Sequence, residues 1–192
     1  MERIEGATKT TDNRFLNMYE LQAVQRDGTK FPYQVASRAK TTEDLKAISG
    51  KNSADAVAIF AQYENKIVLI RQFRYPVGDY IYELPAGLID GNETIYEAAK
   101  REMFEETGLS FVPKESPYLK NSSFFSSPGM TDETCSIVFG ECFGEPTSAN
   151  QEASEDIQVI LADEAECRRI LMEEKLDMRT TLLLLSQLAD KQ

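Results

Sequence analysis

Residues 87–109 read GLIDGNETIYEAAKREMFEETGL, and this stretch decides the fold. Thr94 followed three residues later by Glu97 is a capping-box signature, so a helix should begin at residue 95. Gly108 stands where that helix should stop, which predicts a helix over 95–107. Ile95, Ala98, Ala99 and Met103 form its apolar stripe. Glu102 and Glu106 are four residues apart and so lie one above the other on a single face, with Glu105 at their border. Like charges at this spacing repel by about 0.5 kcal/mol per pair. They also crowd the C-terminal end of the helix, where the dipole disfavours anions. Two local rules broken together point to a bound cation as compensation. The plainer alternative is a solvated acidic face, which is what most charge runs are.

The spacing of the stretch decides between the two. Gly87, Glu93 six residues on, Arg101-Glu102, Met103, Glu105-Glu106, Gly108 and Leu109 fit G-x5-E-x7-R-E-U-x-E-E-x-G-U, where U is bulky and apolar. This is the Nudix box, and the chain resembles the Nudix hydrolase family at every specified position. The resemblance implies an α/β fold: a Nudix α/β/α sandwich with a mixed sheet, the box forming loop, helix and loop. It further implies that Glu102 and Glu106, with Glu105 contributing and the backbone carbonyl of Ala86, hold one to three divalent ions. Mg²⁺ is expected, with Mn²⁺ as a substitute. Glu93 and Arg101 would form an ion pair that braces the loop on the helix and holds the ligands in place. Gly87 would let the backbone approach the ions closely.

Residues outside the box point to a branch of the family. LIRQFRYPVGDYIYELPAGLIDG (69–91) and SSPGMTDE (126–133) resemble ADP-sugar pyrophosphatases, as does EDIQVI followed by two helices that include KLDMRTTLLLL (175–185). The resemblance covers about residues 13–190. Pro128 lies a few residues later than is usual in that branch, which indicates a longer loop after the helix. The implied reaction cleaves the pyrophosphate of a nucleoside diphosphate sugar, ADP-ribose foremost, giving AMP and ribose 5-phosphate. Arg74 and Arg38 match arginines that contact substrate phosphates, and a guanidinium fork suits a pyrophosphate. Phe15 and Tyr33 match aromatics that clamp adenine, although strand aromatics also serve as core. Glu83 either binds substrate or metal-linked water, or is a satisfied strand carboxylate. The general base of relatives comes from the loop after the box, here 144–156. That makes Glu155 the first candidate and Glu152 the second, with Glu133 a further candidate for orienting water or metal. Within the family the rival substrates are GDP-mannose, another nucleoside diphosphate sugar, a dinucleoside polyphosphate or NADH. The rival outside catalysis is an ADP-ribose-binding sensor, a form that usually loses box carboxylates; this chain keeps them all.

Bulk composition agrees. The chain has 192 residues, no histidine and a formal net charge of -11. Without histidine there is no Ser-His-Asp triad, Cys-His dyad or His-ligated zinc, so acid–base and metal chemistry must come largely from carboxylates, which suit hard ions such as Mg²⁺ and Mn²⁺. So acidic a surface disfavours nucleic acid and anionic membranes as partners, but not a small anion that arrives with Mg²⁺. The opening MERIEGATKTT lacks a signal-peptide pattern, and no apolar run, Leu182–Leu185 included, is long enough to span a bilayer. Cys135, Cys142 and Cys167 show no metal or redox spacing, so reduced thiols and a cytoplasmic location are expected.

The remaining pattern predicts a polar, frayed segment over 1–13, a hairpin over 15–37 around Asp27-Gly28, and a polar connection over 39–53. Strands follow at 54–63, 66–74, 80–84, 136–143 and 157–161, and helices at 163–174 and 178–190. Residues 1–50 read as an N-terminal β-sheet subdomain and 51–192 as the catalytic domain. A sheet of two or three strands is marginal alone. In similar enzymes it reaches over a partner subunit, so a homodimer is expected.

Overall fold

The computed structural model describes residues 3–117, 123–152 and 155–189. These form two compact units, one drawn from residues 1–55 and 121–135, the other from 56–120 and 136–192.

The first unit holds strands β1 (Ile4–Lys9), β2 (Asn17–Val24) and β3 (Lys30–Ser37), followed by a single helical turn, α1 (Lys46–Ser49). The strands make an antiparallel sheet in the order β1-β2-β3. The frayed segment expected at residues 1–13 is corrected here, apart from residues 1–2, which lie outside the described residues. β1 pairs with β2 from Ile4↔Ala23 to Lys9↔Tyr19, with a bulge between Ile4 and Gly6. This strand is held by backbone pairing and sets only Ile4 and Ala7 against the small core, so its composition hid it. The hairpin turns at Asp27-Gly28 as expected. Gly28 takes φ +90°, and Asp27 Oδ1 accepts from the Thr29 N–H at 2.9 Å. Alternation along β2 and β3 turns Tyr19, Leu21 and Val35 onto Leu45 to form a small core. A parallel bridge at Ala36↔Thr131 attaches the 123–135 segment to β3.

In the second unit the elements run β4 (Ala56–Tyr63), β5 (Lys66–Arg74), β6 (Asp79–Glu83), β7 (Ala86–Leu88), α2 (Ile95–Thr107) and β8 (Ser110–Lys114). After β9 (Phe124–Phe125) of the first unit come β10 (Thr134–Phe143), β11 (Ile157–Ala162), α3 (Glu164–Glu173) and α4 (Met178–Ala189). The expected end of the last helix at residue 190 lies outside the described residues. The main sheet runs β11-β5-β4-β10-β8, with β6 paired to β5 and β7 to β4. Val57, Ile59, Ala61 and Val68 of one sheet face pack on Ala98, Ala99 and Met103 of α2. Neighbouring side chains point the other way: Ile67 lies beside Cys167 of α3 and Leu184 and Leu188 of α4. Helices therefore cover both faces, as a Nudix sandwich requires. All three cysteines are buried, and none forms a disulfide among the described residues. Among the described residues no helix is long and apolar enough to cross a membrane.

Candidate active site

The box helix forms as its sequence dictates. Thr94 Oγ1 accepts from the Glu97 N–H at 3.2 Å, and Glu97 Oε2 accepts from the Thr94 N–H at 2.8 Å. At the other end Gly108 adopts φ +74° and its N–H reaches the Phe104 carbonyl. The core stripe of α2 sets the opposite register for the glutamates. Glu102 and Glu106 face the short strand β7, where they are 8% and 2% exposed. Glu106 Oε2 accepts from the Ala86 N–H at 3.0 Å. Gly87 has no room for a side chain, since an added Cβ would stand 1.9 Å from Glu102 Oε1.

Arg101 is the hub. Its Nε and Nη2 grip the two oxygens of Glu93, each at 2.9 Å. Nη1 donates to Glu102 at 2.8 Å and Glu105 at 2.9 Å, and Nη2 also to the Leu88 carbonyl at 2.9 Å. The expected Glu93–Arg101 brace is thus part of a larger clamp that fixes two further box glutamates. The guanidinium, with an N–H from Asp90, holds the Glu93 carboxyl down at about 2. Burial pushes Glu102 up, opposed by Arg101. Glu106 is raised well above the usual carboxylate range, first by burial and then by the charge of Glu102.

Sheet register brings in the next residues. Ile70, Gln72 and Arg74 share one face of β5. Gln72 stands opposite Ile81 of β6 and Ile157 of β11, so Glu83, two residues from Ile81, shares that face. Arg74 Nε donates to buried Glu83 at 2.5 Å. These two candidates are therefore partners of each other. The Phe73 N–H donates to the Asp156 carbonyl at 3.2 Å, which continues the β5–β11 pairing and sets Glu155 alongside Arg74. The charge of Glu155 is felt at both Glu102 and Glu106. Glu152 is exposed, and its N–H donates to Glu155 Oε2 at 2.9 Å.

Gln151 and Asp156 escaped the sequence reading. Gln151 Nε2 donates to the Glu106 carbonyl at 2.8 Å and the Ile157 carbonyl at 3.3 Å, tying the loop to the end of α2. Asp156 accepts from the Tyr80 hydroxyl. Gln151 lies in no stretch that carried the resemblance, and Asp156 lies in EDIQVI, where only its neighbour Glu155 was singled out.

Phe15, Tyr33, Arg38 and Glu133 belong to the first unit. Arg38 Nε pairs with Glu133 at 3.1 Å. The Tyr33 hydroxyl donates to the Gly129 carbonyl at 2.8 Å and its ring meets Phe31 edge-on. Phe15 is 65% exposed, with the Arg14 guanidinium 4.7 Å above its ring. Phe15 is therefore not core.

Among the described residues no three Asp, Glu, His or Cys side chains converge as the ligands of one ion would. Arg101 and the Ala86 N–H hold Glu102 and Glu106 instead. The donor chemistry nevertheless fits a hard divalent cation. It offers a buried carboxylate resisting its own charge, a second beside it, and a glycine that keeps their approach to the backbone open.

Comparison with known proteins agrees with this geometry. Residues 52–179 match the NUDIX domain. The chain belongs to the NUDIX family. Over 122 residues it is 37% identical to a nudix hydrolase of Caenorhabditis elegans, covering 59% of this chain and 53% of that one. Over 167 residues it is 28% identical to the ADP-ribose pyrophosphatase of Escherichia coli K12, covering 83% of this chain and 78% of that one. The crystal structure of an ADP compounds hydrolase superposes with a TM-score of 0.71 at 19% identity, over 98% of this chain and 94% of the other, and so shares its fold. The chain spans about half the length of the Caenorhabditis elegans relative.

Proposed function

We propose that the protein is a divalent-metal-dependent pyrophosphatase that cleaves nucleoside diphosphate sugars, with ADP-ribose the foremost substrate and AMP and ribose 5-phosphate the products. One observation carries the reading: Glu106 is buried with Glu102 beside it, against a glycine that leaves their carboxylates room. A carboxylate so placed needs a cation or a proton. The name of the Escherichia coli relative supports the substrate class.

In this reading Glu102, Glu106, Glu105 and the Ala86 carbonyl hold Mg²⁺, with Mn²⁺ able to replace it. The ion supplies charge neutralisation at the phosphoryl oxygens and eases deprotonation of water. Arg101 and Glu93 keep the ligands in place. Glu155 takes the proton from the attacking water; its place alongside Arg74 favours it over exposed Glu152 and over Glu133, which Arg38 engages. Arg74 turns its remaining N–H groups to the diphosphate while Glu83 fixes its orientation. Arg38 contributes to phosphate binding, and Phe15 and Tyr33 clamp adenine in a homodimer whose N-terminal sheets cross between subunits. The enzyme works in the cytoplasm.

The test is a panel of ADP-ribose, GDP-mannose, other nucleoside diphosphate sugars, dinucleoside polyphosphates and NADH with Mg²⁺, products identified by mass. AMP and ribose 5-phosphate from ADP-ribose at the highest kcat/KM are expected. Tight ADP-ribose binding without turnover would instead establish a sensor.

A further inference from the structure

The last turn of a helix leaves its final carbonyls without intrahelical donors, and these must be met from elsewhere. On α2, which carries Glu102 and Glu106, the 147–151 segment meets them. The Thr147 N–H reaches the Thr107 carbonyl at 2.8 Å. Asn150 Nδ2 reaches the Phe104 carbonyl at 3.4 Å, and Gln151 Nε2 reaches the Glu106 carbonyl at 2.8 Å. Gln151 goes further than the other two. Its Nε2 also donates to the Ile157 carbonyl at 3.3 Å, at the start of β11. A side-chain amide has two hydrogens, one for each carbonyl. One side chain therefore joins the end of α2 to the start of β11 and closes the stretch 151–157 on itself.

Glu155 lies inside that closed stretch. Its Oε2 accepts from the Glu152 N–H at 2.9 Å, and its own N–H donates to the Glu152 carbonyl at 3.0 Å. The segment that Gln151 fastens thus also orients this carboxylate. The charge of Glu155 is felt at Glu102 and Glu106, and like charges push the loop away from the helix. Gln151 is half-buried and neutral, so it opposes that push with two hydrogen bonds and adds no charge. Given the pyrophosphatase reading with Glu155 as base, on which this inference rests, we propose that Gln151 is a positioning residue: its amide fastens the loop that carries Glu155 to the end of the helix that carries Glu102 and Glu106, and so sets the reach of the base to the attacking water. A general base works only within hydrogen-bond reach of the proton it takes.

The experiment is a double-mutant cycle of Gln151→Met, a near-isostere without the amide hydrogens, with Glu155→Gln, read by steady-state hydrolysis of ADP-ribose across a Mg²⁺ titration. Gln151→Met alone should lower kcat by about ten- to hundredfold, with KM and the Mg²⁺ concentration for half-activation each within about twofold of wild type. In the Glu155→Gln background the same substitution should change kcat by less than about twofold, because the group it positions is already lost. An equal loss in both backgrounds, a loss that takes the form of a raised Mg²⁺ requirement, or no loss at all would overturn the inference. Should Gln151→Met not fold, Gln151→Asn, whose amide is one carbon too short to reach both carbonyls, runs the same cycle against the same criteria. If Glu155→Gln alone costs less than about tenfold, the base lies elsewhere and the inference falls with that assignment, while the pyrophosphatase reading stands. If wild type hydrolyses no nucleoside diphosphate sugar, that reading itself falls.

Discussion

Replacing Gly87 by alanine isolates the tightest contact in the site. The glycine's φ lies outside the left-handed region, so alanine meets no backbone strain there. The obstacle is the Glu102 carboxylate: the new Cβ would stand 1.9 Å from Oε1, 2.0 Å from Cδ and 2.3 Å from Oε2, where real contacts do not fall under 3.0 Å. The carboxylate must retreat by at least 3.0 − 1.9 = 1.1 Å. It cannot do so freely, because Arg101 holds it at 2.8 Å and it is 8% exposed. Misplacing a catalytic group by about 1 Å costs on the order of 10²-fold in rate, so Gly87→Ala should lower kcat by about 10² and weaken Mg²⁺ activation. Overpacking of this kind costs about 1–3 kcal/mol, which in a chain of this length lowers Tm by about 2–4 °C per kcal/mol. Steady-state hydrolysis of ADP-ribose across a Mg²⁺ titration, with thermal melts alongside, measures both. Gly91→Ala is the control: its φ is +51° and nothing lies within 4 Å of an added Cβ, so it should lose stability but little activity. A Gly87→Ala enzyme with kcat and Mg²⁺ dependence close to wild type would refute the claim that this glycine exists to seat Glu102.

Further outcomes follow from the same geometry. Glu106→Gln should remove at least about 10³-fold of turnover, since a lost metal ligand forfeits several kcal/mol of transition-state stabilisation; near-wild-type kcat in Mg²⁺ would sink the assignment. Because Glu106 holds its proton more tightly folded than unfolded, metal-free protein should lose stability as pH rises from the ordinary carboxylate range through the raised value. Glu106→Gln should flatten that slope in melts of chelator-treated protein. Glu93 works in the opposite sense: its contribution is present above the ordinary carboxylate range and disappears as pH falls towards about 2. Glu155→Gln should lower kcat by roughly 10²–10⁴ with little change in KM, and Glu152→Gln far less; the reverse order would move the base to Glu152, and two mild effects would turn attention to Glu133. Light scattering at micromolar concentration should report a homodimer, and a fully active monomer would exclude an adenine pocket shared between subunits.

What could be read from the chain beforehand was what neighbours in sequence determine. The box helix, its cap at Thr94 and its stop at Gly108 depend on groups within four residues of one another, and all three stand where expected. β1 escaped because its partner is β2 and its side chains carry little pattern. The pairing of Arg74 with Glu83 escaped for a related reason: each residue stood out alone, but only the pairing of β5 with β6, which sets Glu83 opposite Ile70, puts both on one sheet face where the Arg74 side chain reaches back to Glu83. The bonds of Arg101 to Glu102 and Glu105 add to the brace the motif implies, because a guanidinium has five N–H groups and the motif names one partner.

The clamp also explains how three glutamates coexist at a helix end that disfavours them. Arg101 lies one residue before Glu102 and four before Glu105, so one side chain reaches both from the same helix. Glu106 lies one turn beyond Glu102, on the buried side, and receives the neutral Ala86 N–H instead. Glu106 is the more deeply buried of the two, and its neutral donor relieves desolvation without cancelling charge, which is why it is pushed up further than Glu102 despite its hydrogen bond. The remaining charge can be met by a proton or by a cation, and these compete for the same carboxylate. Lowering the pH should therefore weaken Mg²⁺ binding first through Glu106, while the Glu93–Arg101 brace, held down near 2, stays ionised. The framework that aims the ligands thus survives under conditions where the ligand itself is titrated, so acid should abolish activity before it unfolds the protein.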